Sequence, residues 1–228
     1  MDWDKSASSF FLCNITLHFG FELFILELID WGEQTMSKLY FKYGAMGSSK
    51  TAQALMTRFN YIQKGYDVLL IKPVIDNRDV IDGEIVVKSR IGIFASCKVF
   101  DKNTNLFDFI SNLGFIDNNK VVIVDEVQFC SAEQIDQLHD VSTKVPVLCY
   151  GLLTNFKTQL FEGSKRLIEV AESISEIKSV CKCGRKATVN ARFVDGKLVC
   201  DGEEIAIGAD ESYVGMCYTC YKELKKQI

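Results

Sequence analysis

A parallel α/β sheet carrying a phosphate-binding loop, followed by a small cysteine-bearing unit, is the architecture this sequence predicts. Three observations lead there. Short, continuously apolar runs at residues 68–71, 121–124 and 145–151 alternate with segments whose apolar residues recur at helical spacing, the pattern of strands covered by helices on both faces. A glycine- and serine-rich turn ending in Lys50-Thr51 falls between the first strand and the first helix. Beyond about Ser175 the alternation stops, and two close cysteine pairs flank a hairpin.

Element by element, Leu39, Phe41 and Tyr43 alternate with Lys38, Tyr40 and Lys42 and read as a strand. Ala52, Leu55, Met56, Phe59 and Ile62 follow at helical spacing, and Gly65 ends that helix. The run at 68–71 is a buried strand, and the polar, turn-rich stretch 72–88 is expected as a mobile loop. Leu106, Phe107, Ile110 and Leu113 predict a helix, and 121–124 a second buried strand. Ser131 followed three residues later by Gln134 is a capping box opening a helix with Ile135 and Leu138 inside. The run at 145–151 is a third buried strand, and 167–171 belongs to a further helix. Asp195-Gly196 between Phe193-Val194 and Leu198-Val199 is a hairpin signal.

The chain has 228 residues, 48% hydrophobic and 25% charged, enough for a sizeable core and against global disorder. Its nine cysteines fall below the roughly 8–10% of a disulfide scaffold. Two prolines and 15 glycines exclude a collagen-like chain. A net charge of −4 speaks against binding nucleic acid through bulk positive charge.

The first 35 residues carry six acidic side chains against Lys5 alone, leaving 25 basic and 24 acidic residues after them. Their longest charge-free run, from Ser6 to Phe21, is 16 residues, short of the roughly 20 needed to span a bilayer. Asp2 and Asp4 oppose the positive start of an export signal. Residues 1–35 are therefore expected to be a dispensable extension before a natural start at Met36. Residues 36–175 are expected to form the nucleotide-binding domain and 176–228 the zinc domain, in a reducing cytoplasm where close-set cysteines usually mean metal.

Three motifs carry chemistry. Gly44, Ala45, Met46, Gly47, Ser48, Ser49, Lys50 and Thr51 supply what a phosphate loop needs: inward N–H groups, a helix N-terminus, a lysine and a hydroxyl for Mg²⁺. The usual glycine before the lysine is Ser49; a plain strand–turn–helix joint is the alternative. Asp125-Glu126, directly after a buried strand, sits where open α/β sheets bind ligands. One carboxylate can hold a metal through water while the other takes a proton; a turn cap is the alternative. Cys181, Cys183, Cys217 and Cys220 form two pairs 33 residues apart, suited to a tetrahedral Zn²⁺ without an open position, hence structural, or else four unliganded thiols. Cys13, Cys97, Cys130, Cys149 and Cys200 are scattered, and His18 and His139 are isolated.

Together, the phosphate loop, Asp125-Glu126-Val127-Gln128-Phe129 and the paired cysteines resemble the zinc-containing thymidine kinases of the cellular, tetrameric type. The resemblance covers Lys38 to Tyr221 and is closest to the bacterial branch, with Ser89-Arg90-Ile91-Gly92 and 147–152 among the similar segments. It implies a RecA-like phosphate-loop domain and transfer of the γ-phosphoryl group of ATP to the 5′-hydroxyl of thymidine. Lys50 would hold the phosphates, Thr51 and Asp125 the Mg²⁺, and Glu126 would be the general base. Asp76, Arg78 and Gln128 match positions near the phosphates. Met46, Phe129, Leu152, Phe156 and Phe161 match the thymine pocket. The loop from Cys200 to Tyr213, with Ile207 and Gly208, matches a "lasso" that covers the nucleoside. A homotetramer without membrane or nucleic-acid partners is also implied.

Two other readings compete. A degenerate member that binds nucleotide without transferring phosphate would follow from Ser49, and a zinc-ribbon nucleic-acid-binding ATPase from the loop plus four cysteines. The near-neutral charge argues against the latter.

Overall fold

A computed structural model describes residues 38–76, 79–202 and 213–226. The leader 1–35, Arg78, and Ile207 and Gly208 of the expected lasso lie outside the described residues.

The central sheet has six strands, all paired in parallel. They are β1 (Leu39–Tyr43), β2 (Asp67–Pro73), β6 (Lys98–Phe100), β7 (Lys120–Val124), β8 (Val147–Gly151) and β9 (Ser173–Glu176). The order is β6-β2-β7-β8-β1-β9, so β8 separates the strand before the phosphate loop from the strand before Asp125. Each strand turns alternate residues to opposite sides. Val122 and Val124 of β7 pack in a core with Leu106 and Ile110 of α2 (Leu106–Asn112), Ile135, Leu138 and Val141 of α3 (Ala132–Ser142) and Leu167 of α4 (Glu162–Val170). Val121 and Ile123 join a second core with Ala54 and Leu55 of α1 (Lys50–Gln63). β2, β7 and β8 carry continuously apolar runs because both their faces are buried, whereas the edge strand β9 is mostly polar and partly exposed. The capping box opening α3 is present on both sides: Gln134 N–H donates to Ser131 Oγ, and Ser131 N–H to Gln134 Oε1, each at 3.2 Å.

Two expectations change. Residues 72–88, read as a loop, contain the end of β2 and two strands, β3 (Val80–Ile81) and β4 (Glu84–Lys88), which continue antiparallel into β5 (Phe94–Ser96). The turn is Asp82-Gly83, both with positive φ (52° and 81°), the geometry a two-residue hairpin favours. On α1, only Ala52 and Leu55 of the apolar set are buried, joined by Ala54, which was outside it; Met56, Phe59 and Ile62 are 50%, 59% and 40% exposed.

The C-terminal residues build a separate three-stranded antiparallel sheet, β11-β10-β12, from β10 (Val189–Val194), β11 (Lys197–Val199) and β12 (Tyr213–Met216), with α5 (Tyr218–Lys225) against it. Its own small core holds Cys181, Val189, Ala191, Leu198, Met216, Cys217 and Tyr221. Asp195 and Gly196 make the predicted hairpin turn with φ of 50° and 74°. Among the described residues no helix is long and apolar enough to cross a membrane.

Candidate active site

The phosphate loop runs from the end of β1 into α1. Gly44 N–H donates to Gly151 C=O of β8 at 3.3 Å, which seats the loop's start on the sheet edge. A side chain at Gly44 would lie 2.4 Å from both the Ile177 carbonyl and Ser48 Oγ, so only glycine fits. Gly47 and Ser49 turn the chain with φ of 77° and 64°. Ser49 thus occupies the left-handed region that favours glycine. The first helical bond runs from Gln53 N–H to Ser49 C=O, so the N–H groups of Lys50, Thr51 and Ala52 precede the helical ladder and lie at its positive end. Lys50 is buried and its ammonium donates to Ala45 C=O at 3.1 Å. Burial pulls its pKa down, while Glu126 and Asp125 push it back up. The Ser48 hydroxyl is buried without a partner.

The carboxylate pair faces this loop from the end of β7. Asp125 is buried, and its N–H donates to Ile71 C=O of β2 at 3.0 Å. Burial, and then the charge of Glu126, push its carboxyl up to about 7, opposed by hydrogen bonds from the Thr51 side chain and Glu126 N–H and by Lys50. Two adjacent carboxylates with a hydroxyl beside them and one lysine near are a donor set that fits a hard divalent cation. Glu126 itself adopts a left-handed conformation, φ 52°, and Gln128 Nε2 donates to its Oε2. Gln128 is buried and its Oε1 accepts from Leu152 N–H at 3.0 Å. The glutamine therefore ties Glu126 to the residue that follows β8.

Met46, Gly47, Ser49, Lys50, Thr51, Asp76, Asp125 and Glu126 line one cleft of 260 Å³. Asp76 is buried and accepts from Lys72 Nζ at 3.2 Å; Lys72 is itself only 1% exposed. The same cleft is lined by Lys88, Ser89 and Arg90, at and just after the end of β4. Sequence reasoning noted Ser89 to Gly92 only as a similar segment and gave Arg90 no role. A cation beside the phosphate loop was findable once 80–88 was read as a hairpin.

Of the apolar candidates, only Met46 lines this cleft among the described residues. Phe129 and Phe161 meet edge to face, ring centroids 5.9 Å apart, and Leu152, Phe156 and Phe161 are buried. Arg192 of β10 lies over the Phe156 ring at 5.4 Å. Tyr213 starts β12 and is half-buried.

The four predicted cysteines come together: the Sγ atoms of Cys181, Cys183, Cys217 and Cys220 all lie within 4.8 Å of one another. A tetrahedral zinc with bonds of about 2.3 Å needs sulfurs roughly 3.8 Å apart, and Cys183 and Cys217 are 3.6 Å apart. The cluster could hold a metal ion. Backbone hydrogen bonds from Cys183 and Cys217 lower the Cys181 thiol to about 6, whereas hydrogen bonding within the cluster, first to Cys183, pushes Cys220 up to about 12.

The family model described as thymidine kinase matches residues 37–221. The chain is 41% identical over 191 residues to a thymidine kinase of Aliivibrio fischeri, spanning 82% of this chain and 98% of that one. It is 42% identical over 196 residues to a thymidine kinase of Haemophilus influenzae, spanning 85% and 100%. With a thymidine kinase of Novosphingobium aromaticivorans it shares 40% over 195 residues, spanning 84% and 100%.

Proposed function

The chain belongs to the thymidine kinase family, and on that premise we propose that it transfers the γ-phosphoryl group of ATP to the 5′-hydroxyl of thymidine, giving thymidine 5′-monophosphate and ADP. The observation that carries this reading is the meeting of Lys50, Thr51, Asp125 and Glu126 in one cleft. The loop N–H groups and Lys50 bind the phosphates, with Asp76 and Arg78 beside them. Thr51 and Asp125 would hold Mg²⁺, which neutralises charge developing on the transferred group. Glu126 accepts the proton of the 5′-hydroxyl as its oxygen bonds to phosphorus and the bond to ADP breaks. Its carboxylate is aimed by Gln128 from one side.

Met46, Phe129, Leu152, Phe156 and Phe161 form the thymine pocket in this account, and the loop with Ile207, Gly208 and Tyr213 closes over it. Cys181, Cys183, Cys217 and Cys220 hold a structural Zn²⁺; four thiolates leave no open coordination position for catalysis. Residues 36–175 bind nucleotide, and 176–228 form the zinc and lasso part. The exposed Met56, Phe59 and Ile62 of α1 support assembly with further copies of the chain; the homotetramer and the cytoplasm are what the family resemblance implies.

Incubation with ATP labelled in the γ-phosphate, thymidine and Mg²⁺ tests the reading. Label is expected in thymidine 5′-monophosphate. Label released only as inorganic phosphate, or kept in ATP, would contradict it.

A further inference from the structure

The phosphate loop touches the C-terminal sheet at one peptide. Met46 N–H donates to Asn190 Oδ1 at 2.8 Å, and Asn190 Nδ2 donates to Thr154 C=O at 2.7 Å. Asn190 is 3% exposed, on the central strand β10. Directly across from it in the β10–β12 register is Gly215. A Cβ built on Gly215 would lie 2.4 Å from the Met46 carbonyl oxygen. The Met46 peptide is therefore held at its N–H by an amide and approached at its C=O by a residue without a side chain. Both belong to one cross-strand pair, and Met216, the last residue of β12, and Cys217, the cap of α5, follow directly.

We infer that the Asn190–Gly215 pair is a positioning device for the phosphate loop, so that the C-terminal sheet sets the ATP-binding geometry as well as covering the nucleoside. The physical argument is short. Lys50 and the N–H groups of the loop can converge on phosphates only if the turn between Gly44 and Ser49 holds its shape. That turn contains Gly47 and Ser49 at positive φ, and only Gly44 and Ser48 within it are well buried. An unpaired buried amide oxygen costs free energy, so Asn190, itself 3% exposed, favours the loop conformation that brings Met46 N–H to its Oδ1. Neither residue faces the reacting groups; each acts through Met46.

The inference rests on the ATP-binding reading above, and its test keeps the two separate. Calorimetric titration of the full chain with MgATP, without thymidine, compares wild type, Asn190→Ala and Gly215→Ala, with metal content and unfolding temperature measured on each. MgATP affinity is expected to fall at least tenfold in both variants while bound metal stays at the wild-type level. Should Gly215→Ala not fold, Asn190→Ser, which replaces the carboxamide by a shorter hydroxyl that cannot bridge Met46 and Thr154, carries the same expectation. Wild-type MgATP affinity in folded variants overturns the inference, as does a loss of thymidine affinity alone, which would assign the pair to the base pocket. Wild-type protein that binds no MgATP overturns the functional reading, and the inference with it.

Discussion

Ser49 and Glu126 share an unusual feature: both are non-glycine residues in the left-handed region, with φ of 64° and 52°, at the two sides of one cleft. Such a conformation costs a residue with a Cβ about 1–2 kcal/mol. At Ser49 the side chain makes no capping hydrogen bond that would offset this. Ser49→Gly should therefore stabilise the protein by roughly 0.5–1 kcal/mol, after the greater freedom of glycine in the unfolded chain is counted. It should leave the ATP requirement unchanged or lower it. Thermal unfolding and the KM for ATP check this; a marked rise in that KM would mean the hydroxyl contacts the nucleotide. The unusual loop position was legible from the sequence, because the motif wants glycine where Ser49 stands. The twist at Glu126 was not, since nothing local marks an acidic residue for positive φ. Lys72 was misplaced for a related reason: a charged residue beside Pro73 reads as loop, yet it is buried because Asp76 pairs with it.

Among the elements, β2, β7 and β8 were legible because burial on both faces leaves uninterrupted apolar runs, and β1 from its alternation, whereas the edge strands β6 and β9 were not read, being short and partly exposed. The β3–β4 hairpin was missed although Asp82-Gly83 carries the same signal as Asp195-Gly196, which was read correctly. The difference is context: Val80-Ile81 is too short to show alternation, and polar residues surround it. The outward turn of Met56, Phe59 and Ile62 was also invisible, since helical spacing does not say which side meets the sheet. Cys217 joins β12 to α5, where its Sγ caps the helix by accepting from Cys220 N–H at 3.5 Å. Metal analysis should find about one Zn²⁺ per chain. Cys217→Ser should lose it, unfold the C-terminal sheet first and raise the KM for thymidine about tenfold or more, because structural zinc contributes folding energy directly. Circular dichroism of the variant should keep the signal of the parallel sheet and its helices. Normal thymidine binding by metal-free protein would leave the four cysteines as unliganded thiols.

For the whole molecule, the family match spans residues 37–221 and the cleft begins at Met46, so the acidic leader supplies none of the residues assigned a role. Protein starting at Met36 should keep the full rate and be more soluble, because a segment with five Phe and five Leu residues is removed; a large loss of rate in folded protein would make the leader part of the enzyme. The composition and motifs placed the molecule in its class, whereas the contact of the phosphate loop with the C-terminal sheet at Met46 required three-dimensional register that no sequence spacing encodes. The central claim is that one cleft joins ATP to thymidine with Glu126 taking the proton. Its most direct test is the rate of thymidine 5′-monophosphate formation by wild type and Glu126→Gln at saturating MgATP and thymidine. The account predicts product from the wild type and a rate lower by about 10²–10⁴-fold in the variant, with thymidine binding nearly unchanged because the amide keeps the shape. A variant that forms thymidine 5′-monophosphate at close to the wild-type rate would contradict it.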